Sequence, residues 1–131
     1  MTLKVVLDTN FLLIPFQFGV DIFDELDRIL PDHKLFIIDR TIDELNNIIV
    51  KQKSKHREEA KMALSLIERY NLERIPTPET ERFLNVDNLI IKRASEDKLV
   101  IATQDAGLKR ILKENNVPLV ILRKKKFLML V

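Results

Sequence analysis

Apolar residues fall along this chain in two alternating rhythms. Short, nearly unbroken runs occupy Leu3–Leu7 and residues 35–38, 99–102 and 119–122. Runs of that kind are expected of strands buried on both faces of a parallel sheet. Between them the spacing changes. Ile22, Leu26, Ile29 and Leu30 fall at i, i+4, i+7 and i+8, and Ala60, Ala63, Leu64 and Ile67 at i, i+3, i+4 and i+7, so each set makes one apolar stripe on a helix. Ile90, Ile91 and Ala94 predict a further helix, as do Leu108, Ile111 and Leu112. A fifth short strand is expected near residues 73–75. Pro76-Thr77-Pro78, Pro31-Asp32 and Asn116-Val117-Pro118 punctuate the boundaries. Strands alternating with helices predict an α/β fold around a parallel sheet, because parallel neighbours need a crossover that a helix supplies.

With 131 residues, no internal repeat and no linker-like stretch, the chain is expected to form a single domain over residues 1–131. Hydrophobic residues make up 46% and charged residues 32%, enough for one sizeable core and unlike a disordered chain. The uncharged stretch from Thr9 to Val20 is 12 residues long and contains Pro15, too short for a bilayer. No secretory signal precedes Asp8, so a cytoplasmic protein without a membrane partner is expected. Two apolar groups, Phe11 to Phe18 and Phe127 to Val131, suit core packing better than a self-association patch, although a homodimer is left open.

Cysteine is absent, which removes disulfide scaffolds, thiolate nucleophiles and cysteine-zinc sites. The two histidines, His33 and His56, lie far apart among polar neighbours and read as surface residues, against serine-histidine or multi-histidine metal chemistry. Two glycines cannot build a Gly-rich phosphate loop, so P-loop and dinucleotide-binding readings fail. Any chemistry has to use carboxylates.

Asp8 immediately follows the first strand and Asp105 closely follows the run at 99–102. In an open parallel sheet, ligands bind beyond the carboxyl ends of the strands, where strand order reverses. Glu44 follows the second strand, and Asp87 opens a helix. Each acid has a structural alternative: Asp8 and Asp105 as helix caps, Thr41 and Glu44 as a capping box, Asp87 as a cap or dipole partner of its helix. Together they define an acidic rim that would repel itself without a cation, and hard oxygen ligands select Mg²⁺ or Mn²⁺. Such a site suits phosphodiester hydrolysis.

In order and spacing, Asp8-Thr9-Asn10, Asp43-Glu44-Leu45, Asp87-x-x-Ile90-x-x-x-Ala94 and Thr103-x-Asp105-x-x-Leu108 resemble the four acidic motifs of the PIN-domain ribonucleases across most of the chain. The resemblance implies a Rossmann-like three-layer α/β/α sandwich with a mainly parallel sheet of order 3-2-1-4-5. It also implies a metal-dependent endoribonuclease acting on single-stranded RNA, with Asp8, Glu44, Asp87 and Asp105 as ligands of Mg²⁺ or Mn²⁺. Asn10 and Thr103 match the polar residues that support such a pocket. The ending Val117-Pro118-Leu119-Val120-Ile121-Leu122 followed by Arg123, Lys124, Lys125 and Lys126 is most similar to the branch that processes small-subunit ribosomal RNA, which implies a ribosomal RNA precursor as substrate. That branch often carries two adjacent aspartates at the third motif, where this chain has Asn88 in the second position.

Charge is divided along the chain. Residues 1–50 carry 4 Lys/Arg against 9 Asp/Glu, and residues 51–131 carry 18 against 11, while the net is only +2. Lys51, Lys53, Lys55 and Arg57 would face different sides of a regular helix and would be better presented on a projecting turn. With Arg123, Lys124, Lys125 and Lys126 they are candidate RNA phosphate contacts, the alternative being plain surface solvation. A haloacid-dehalogenase-type phosphatase would need an acid at position 10, where Asn10 stands, and a receiver domain would show two adjacent acids after its first strand. Two alternatives stay open: a VapC-like toxin ribonuclease with an antitoxin partner, and an inactive PIN scaffold that binds RNA or protein.

Overall fold

The computed structural model describes residues 2–131. Six strands form one sheet: β1 (Leu3–Leu7), β2 (His33–Ile38), β3 (Glu73–Ile75), β4 (Val100–Ala102), β5 (Leu119–Arg123) and β6 (Phe127–Leu130). Their order is β3-β2-β1-β4-β5-β6, with every neighbouring pair parallel except the last. The helices are α1 (Ile14–Phe18), entered through a 3₁₀ turn at Thr9–Leu13, then α2 (Ile22–Ile29), α3 (Arg40–Lys51), α4 (Ser54–Arg69), α5 (Val86–Glu96) and α6 (Ala106–Glu114).

Side chains alternate across a strand, and the apolar runs divide accordingly. Val5, Leu7, Ile37, Val100, Ala102, Val120 and Leu122 point to one face, where they pack with Phe11, Ile14, Leu26, Leu45, Ala60, Ala63 and Ile67 of the 3₁₀ turn and of α1–α4. Val6, Ile38, Ile101 and Leu119 point to the other, against Leu89 and Ile90 of α5 and Leu108 and Leu112 of α6. Both faces of the sheet are covered, which is why these strands read as unbroken apolar runs. The result is the expected α/β/α arrangement.

The expected order 3-2-1-4-5 holds and is extended by β6. Arg123, Lys124, Lys125 and Lys126 therefore form a hairpin turn rather than a tail beyond the last strand. Lys126 N donates to Arg123 O at 3.0 Å, and Lys124 and Lys125 take φ of 53° and 56°. Positive φ at both central positions matches the twist of a hairpin, a place usually filled by Asn or Gly. Of the terminal apolar group, Leu128 is buried while Met129 and Leu130 are partly exposed. The outward backbone of β6 is shielded by α2: Glu25 Oε1 accepts from Leu128 N (2.9 Å), and Arg28 donates to Leu128 O (3.0 Å). These two side chains take the place of a further strand.

The first apolar group packs as expected, with Phe11 to Ile14 buried and only Phe18 markedly exposed. His33 departs from expectation. Its side chain is only 10% exposed, with Nδ1 donating to Leu30 O (3.0 Å) and Nε2 lying 3.4 Å from Asp27. A turn carbonyl bonds one ring nitrogen and a carboxylate lies near the other, so a polar local sequence did not keep this residue on the surface. His56 is exposed, as expected.

Candidate active site

The chain leaves β1 toward β2 on one side, and after β3 it returns to add β4 on the other. The carboxyl end of β1 is thus the point where strand order reverses, and two acids emerge there. Leu7 pairs with Ala102, and Asp8 N donates to Ala102 O (2.9 Å), which brings Asp8 beside Thr103. The Thr103 hydroxyl donates to Asp8 Oδ2 (2.9 Å) and accepts from Asp105 N (3.1 Å), tying the two acidic segments together. Thr103 is fully buried, so its hydroxyl has little else to bond. Asp8 Oδ1 also accepts from Thr9 N at 2.8 Å.

Asp105 caps α6, with Oδ1 accepting from Leu108 N at 2.7 Å. Its capping role is real, and the residue lines the acidic cavity as well. Glu44 departs from the capping-box alternative. Helix α3 starts at Arg40, and Glu44 Oε1 instead accepts a hydrogen bond from the Thr9 hydroxyl, which lies 3.2 Å from Thr41 Oγ1. Asn85, not Asp87, caps α5 by accepting from Asn88 N at 2.8 Å. Asp87 is left free in the first turn, facing the cavity.

All four acids line one cavity of about 380 Å³, together with Thr9, Asn10, Asn47, Ile48 and Asn85. Asn10 is in its wall, yet Thr9, not Asn10, hydrogen-bonds a candidate ligand. Asn88 is exposed and outside the lining. Sequence reasoning therefore missed Thr9, Asn47 and Asn85. Of these, Thr9 had a signal in its place between Asp8 and Asn10, whereas Asn47 and Asn85 could be found only once α3 and α5 were placed.

Among the described residues, no lysine, arginine or histidine lines the cavity. Asp8 is 3% exposed, and burial is the main cause that pushes its carboxyl up to about 6; Asp87 and Glu44 add to the rise, and the Thr103 and Thr9 hydrogen bonds oppose it. Glu44 is raised by burial and by Asp87, against the Thr9 hydrogen bond and the more remote Arg40. Asp87 is raised by burial and by Asp105. This mutual repulsion in a poorly solvated recess favours either protons or a cation. A donor set of carboxylate and amide oxygens without sulfur or imidazole fits Mg²⁺ or Mn²⁺. Among the described residues, no three of the acids stand close enough to form a finished cage, so a bound ion would have to draw them inward.

Neither basic cluster is part of the cavity wall. Helix α3 ends at Lys51 and α4 begins at Ser54, so of the four residues only Lys53 lies in the short connection, while Lys51 closes α3 and Lys55 and Arg57 lie at the start of α4, all of them exposed. A second depression shares Asn10 and Ile48 with the acidic cavity and is walled by Gln52 and His56 of that turn region. Arg123, Lys124, Lys125 and Lys126 are exposed at the end of β5, on the carboxyl edge of the sheet and two strands from β1. That separation is about 10 Å at ordinary strand spacing.

A sequence family described as a PIN-like domain matches residues 5–125. Ribonuclease VapC4 of Methanocaldococcus jannaschii is 30% identical over 128 residues, which cover 95% of this chain and 93% of that protein. The structure of the PIN domain endonuclease Utp24 superposes with a TM-score of 0.79 at 23% identity, over 97% of this chain and 90% of the other. A domain of a functionally unknown protein from M. jannaschii superposes with a TM-score of 0.61 at 21% identity, over 93% and 92%. At those identities the two structural likenesses concern the fold alone.

Proposed function

The chain belongs to the PIN-like domain family, and on that premise we propose that it is an endoribonuclease hydrolysing phosphodiester bonds in single-stranded RNA, with Mg²⁺ or Mn²⁺ held by Asp8, Glu44, Asp87 and Asp105. The observation that carries this reading is the meeting of four carboxylates in one cavity whose wall, among the described residues, holds no basic side chain. Capping alone would not need them to meet.

A hard divalent ion there would neutralise the acids, activate water and stabilise charge at phosphorus during in-line displacement. The protein's part is positioning. Thr103 and Thr9 N fix both oxygens of Asp8, and the Thr9 hydroxyl turns Glu44 into the cavity. Asn10, Asn47 and Asn85 offer amide donors to phosphate or ribose oxygens along the wall. Outside that wall, Lys51, Lys53, Lys55 and Arg57, and Arg123, Lys124, Lys125 and Lys126, would hold neighbouring phosphates, which orient a strand without reading its bases.

The basic hairpin favours a ribosomal RNA precursor as substrate. The 30% identity to a VapC ribonuclease favours the second reading, a toxin restrained by an antitoxin. Both share the chemistry and differ in partner. The reaction itself is tested with end-labelled single-stranded and duplex RNA of one sequence in Mg²⁺. Cleavage of the single strand at least about tenfold faster, leaving 5′-phosphate and 3′-hydroxyl ends, is the expected result. Cyclic phosphate ends would mean attack by the ribose 2′-hydroxyl in place of water, and would overturn the mechanism.

A further inference from the structure

Phe83 is 83% exposed, and it sits two residues before Asn85 and four before Asp87, both in the wall of the acidic cavity. Two residues span at most about 7 Å of chain, so the backbone of Phe83 lies beside the cavity wall, although its ring is not part of the lining. An exposed phenylalanine on a loose loop would carry little meaning, but this loop is pinned. Arg40 Nη1 donates to Arg82 O (2.7 Å) and Leu84 O (3.1 Å), the carbonyls on either side of Phe83. Just upstream, Glu81 pairs with Lys92 (2.8 Å) and Arg93 (2.6 Å) of α5. Leu84 packs against the α5–α6 core. The residues around Phe83 are thus fixed to α3, α5 and the core, while its own ring is left in solvent.

Placement gives the ring a use. Arg40, which holds the Phe83 loop, begins α3, and Lys51 ends it, a separation of about 16 Å along the helix axis. Glu44, Asn47 and Ile48 of the same helix line the cavity between those ends. A chain laid over the cavity along α3 would meet an aromatic face at one end and a group of cations at the other. Single-stranded nucleic acid has the matching chemistry, with bases that stack on aromatic rings and phosphates that pair with Lys and Arg.

We propose that Phe83 is a stacking platform for an unpaired RNA base beside the acidic cavity, a role that rests on the ribonuclease reading above and adds a residue to it. The pinned loop keeps the ring preorganised, so little ordering accompanies binding. Stacking on a base face is sequence-tolerant and requires an unpaired base, so the ring selects single strands over duplex.

The test uses Phe83→Ala and Phe83→Trp in the full chain, with a single-stranded RNA 12-mer and an abasic 12-mer of equal charge. Phe83→Ala is expected to raise KM for the RNA roughly tenfold with kcat within about twofold, and Phe83→Trp to restore KM. The chain has no tryptophan of its own, so the indole at position 83 reports alone. In EDTA, where the proposed reaction cannot proceed, its fluorescence should be quenched by the 12-mer and not by the abasic strand. An unchanged KM in Phe83→Ala, or equal quenching by the abasic strand, overturns the proposal and would assign the ring to another contact, such as a protein partner. Quenching without cleavage by the unmodified protein would fail the ribonuclease reading and leave stacking standing. Cleavage without quenching would do the reverse.

Discussion

Asp8→Asn is expected to lower single-stranded RNA cleavage by roughly 100-fold or more, and Asp105→Asn to do the same, with both variants folded. Asparagine is the informative replacement because it keeps the shape and one of the two accepting oxygens while removing charge. At Asp105 it also separates the two roles found there, since Asn caps a helix about as well as Asp, so the bond to Leu108 N can survive. If these residues served only as caps, both variants would keep full activity. Cleavage rates on one RNA substrate, with circular dichroism as the folding control, decide the matter.

The same Asp8→Asn change is expected to stabilise the metal-free protein. The carboxyl of Asp8 lies at about 6 in the folded chain against an ordinary value of 3.8. A raised carboxyl means that the folded state holds its proton more tightly than the unfolded state. The stability from that proton is full below about pH 4 and is lost as pH climbs through 6. Two pKa units correspond to about 3 kcal/mol, an upper figure for this site. In EDTA, melting temperatures of the two proteins should nearly coincide at pH 4 and separate by pH 7, with Asp8→Asn higher by on the order of 5 °C. Added Mg²⁺ should raise the unmodified protein and narrow the gap, because a ligand of the folded state stabilises it by mass action. Parallel melting curves with no change in spacing between pH 4 and 7 would mean that the cavity imposes no such repulsion. A site whose acids strain the empty fold trades stability for affinity toward a cation.

How far the sequence led can be judged residue by residue. Asp8 and Asp105 were legible because parallel strands announce themselves as apolar runs, and a residue just past such a run lies at the carboxyl edge. Glu44 was ambiguous, since Thr41 and Glu44 have capping-box spacing, and only the bond from Thr9 showed where the carboxylate goes. That bond joins residues 35 positions apart, and periodicity carries no information about such pairs. Strand β6 was hidden for two reasons. Its run of apolar residues does not alternate, and Lys124-Lys125 lacks the Asn or Gly that usually marks a hairpin. The positions of the basic clusters follow from the topology once β5 and α3 are placed, although their charge was plain from the start. Phe83 had no signal at all. The loop that carries it is held by Arg40 bonding two carbonyls more than 40 positions away.

The central claim, that the acidic cavity holds the divalent ion used for cleavage, is tested most directly by Mn²⁺ binding in the absence of RNA, followed by loss of the free-ion electron paramagnetic resonance signal. The unmodified chain is expected to bind one or two ions, and Asp8→Asn to weaken that binding about tenfold or more. Equal binding by both proteins, or none by the unmodified chain at millimolar Mn²⁺, would contradict it.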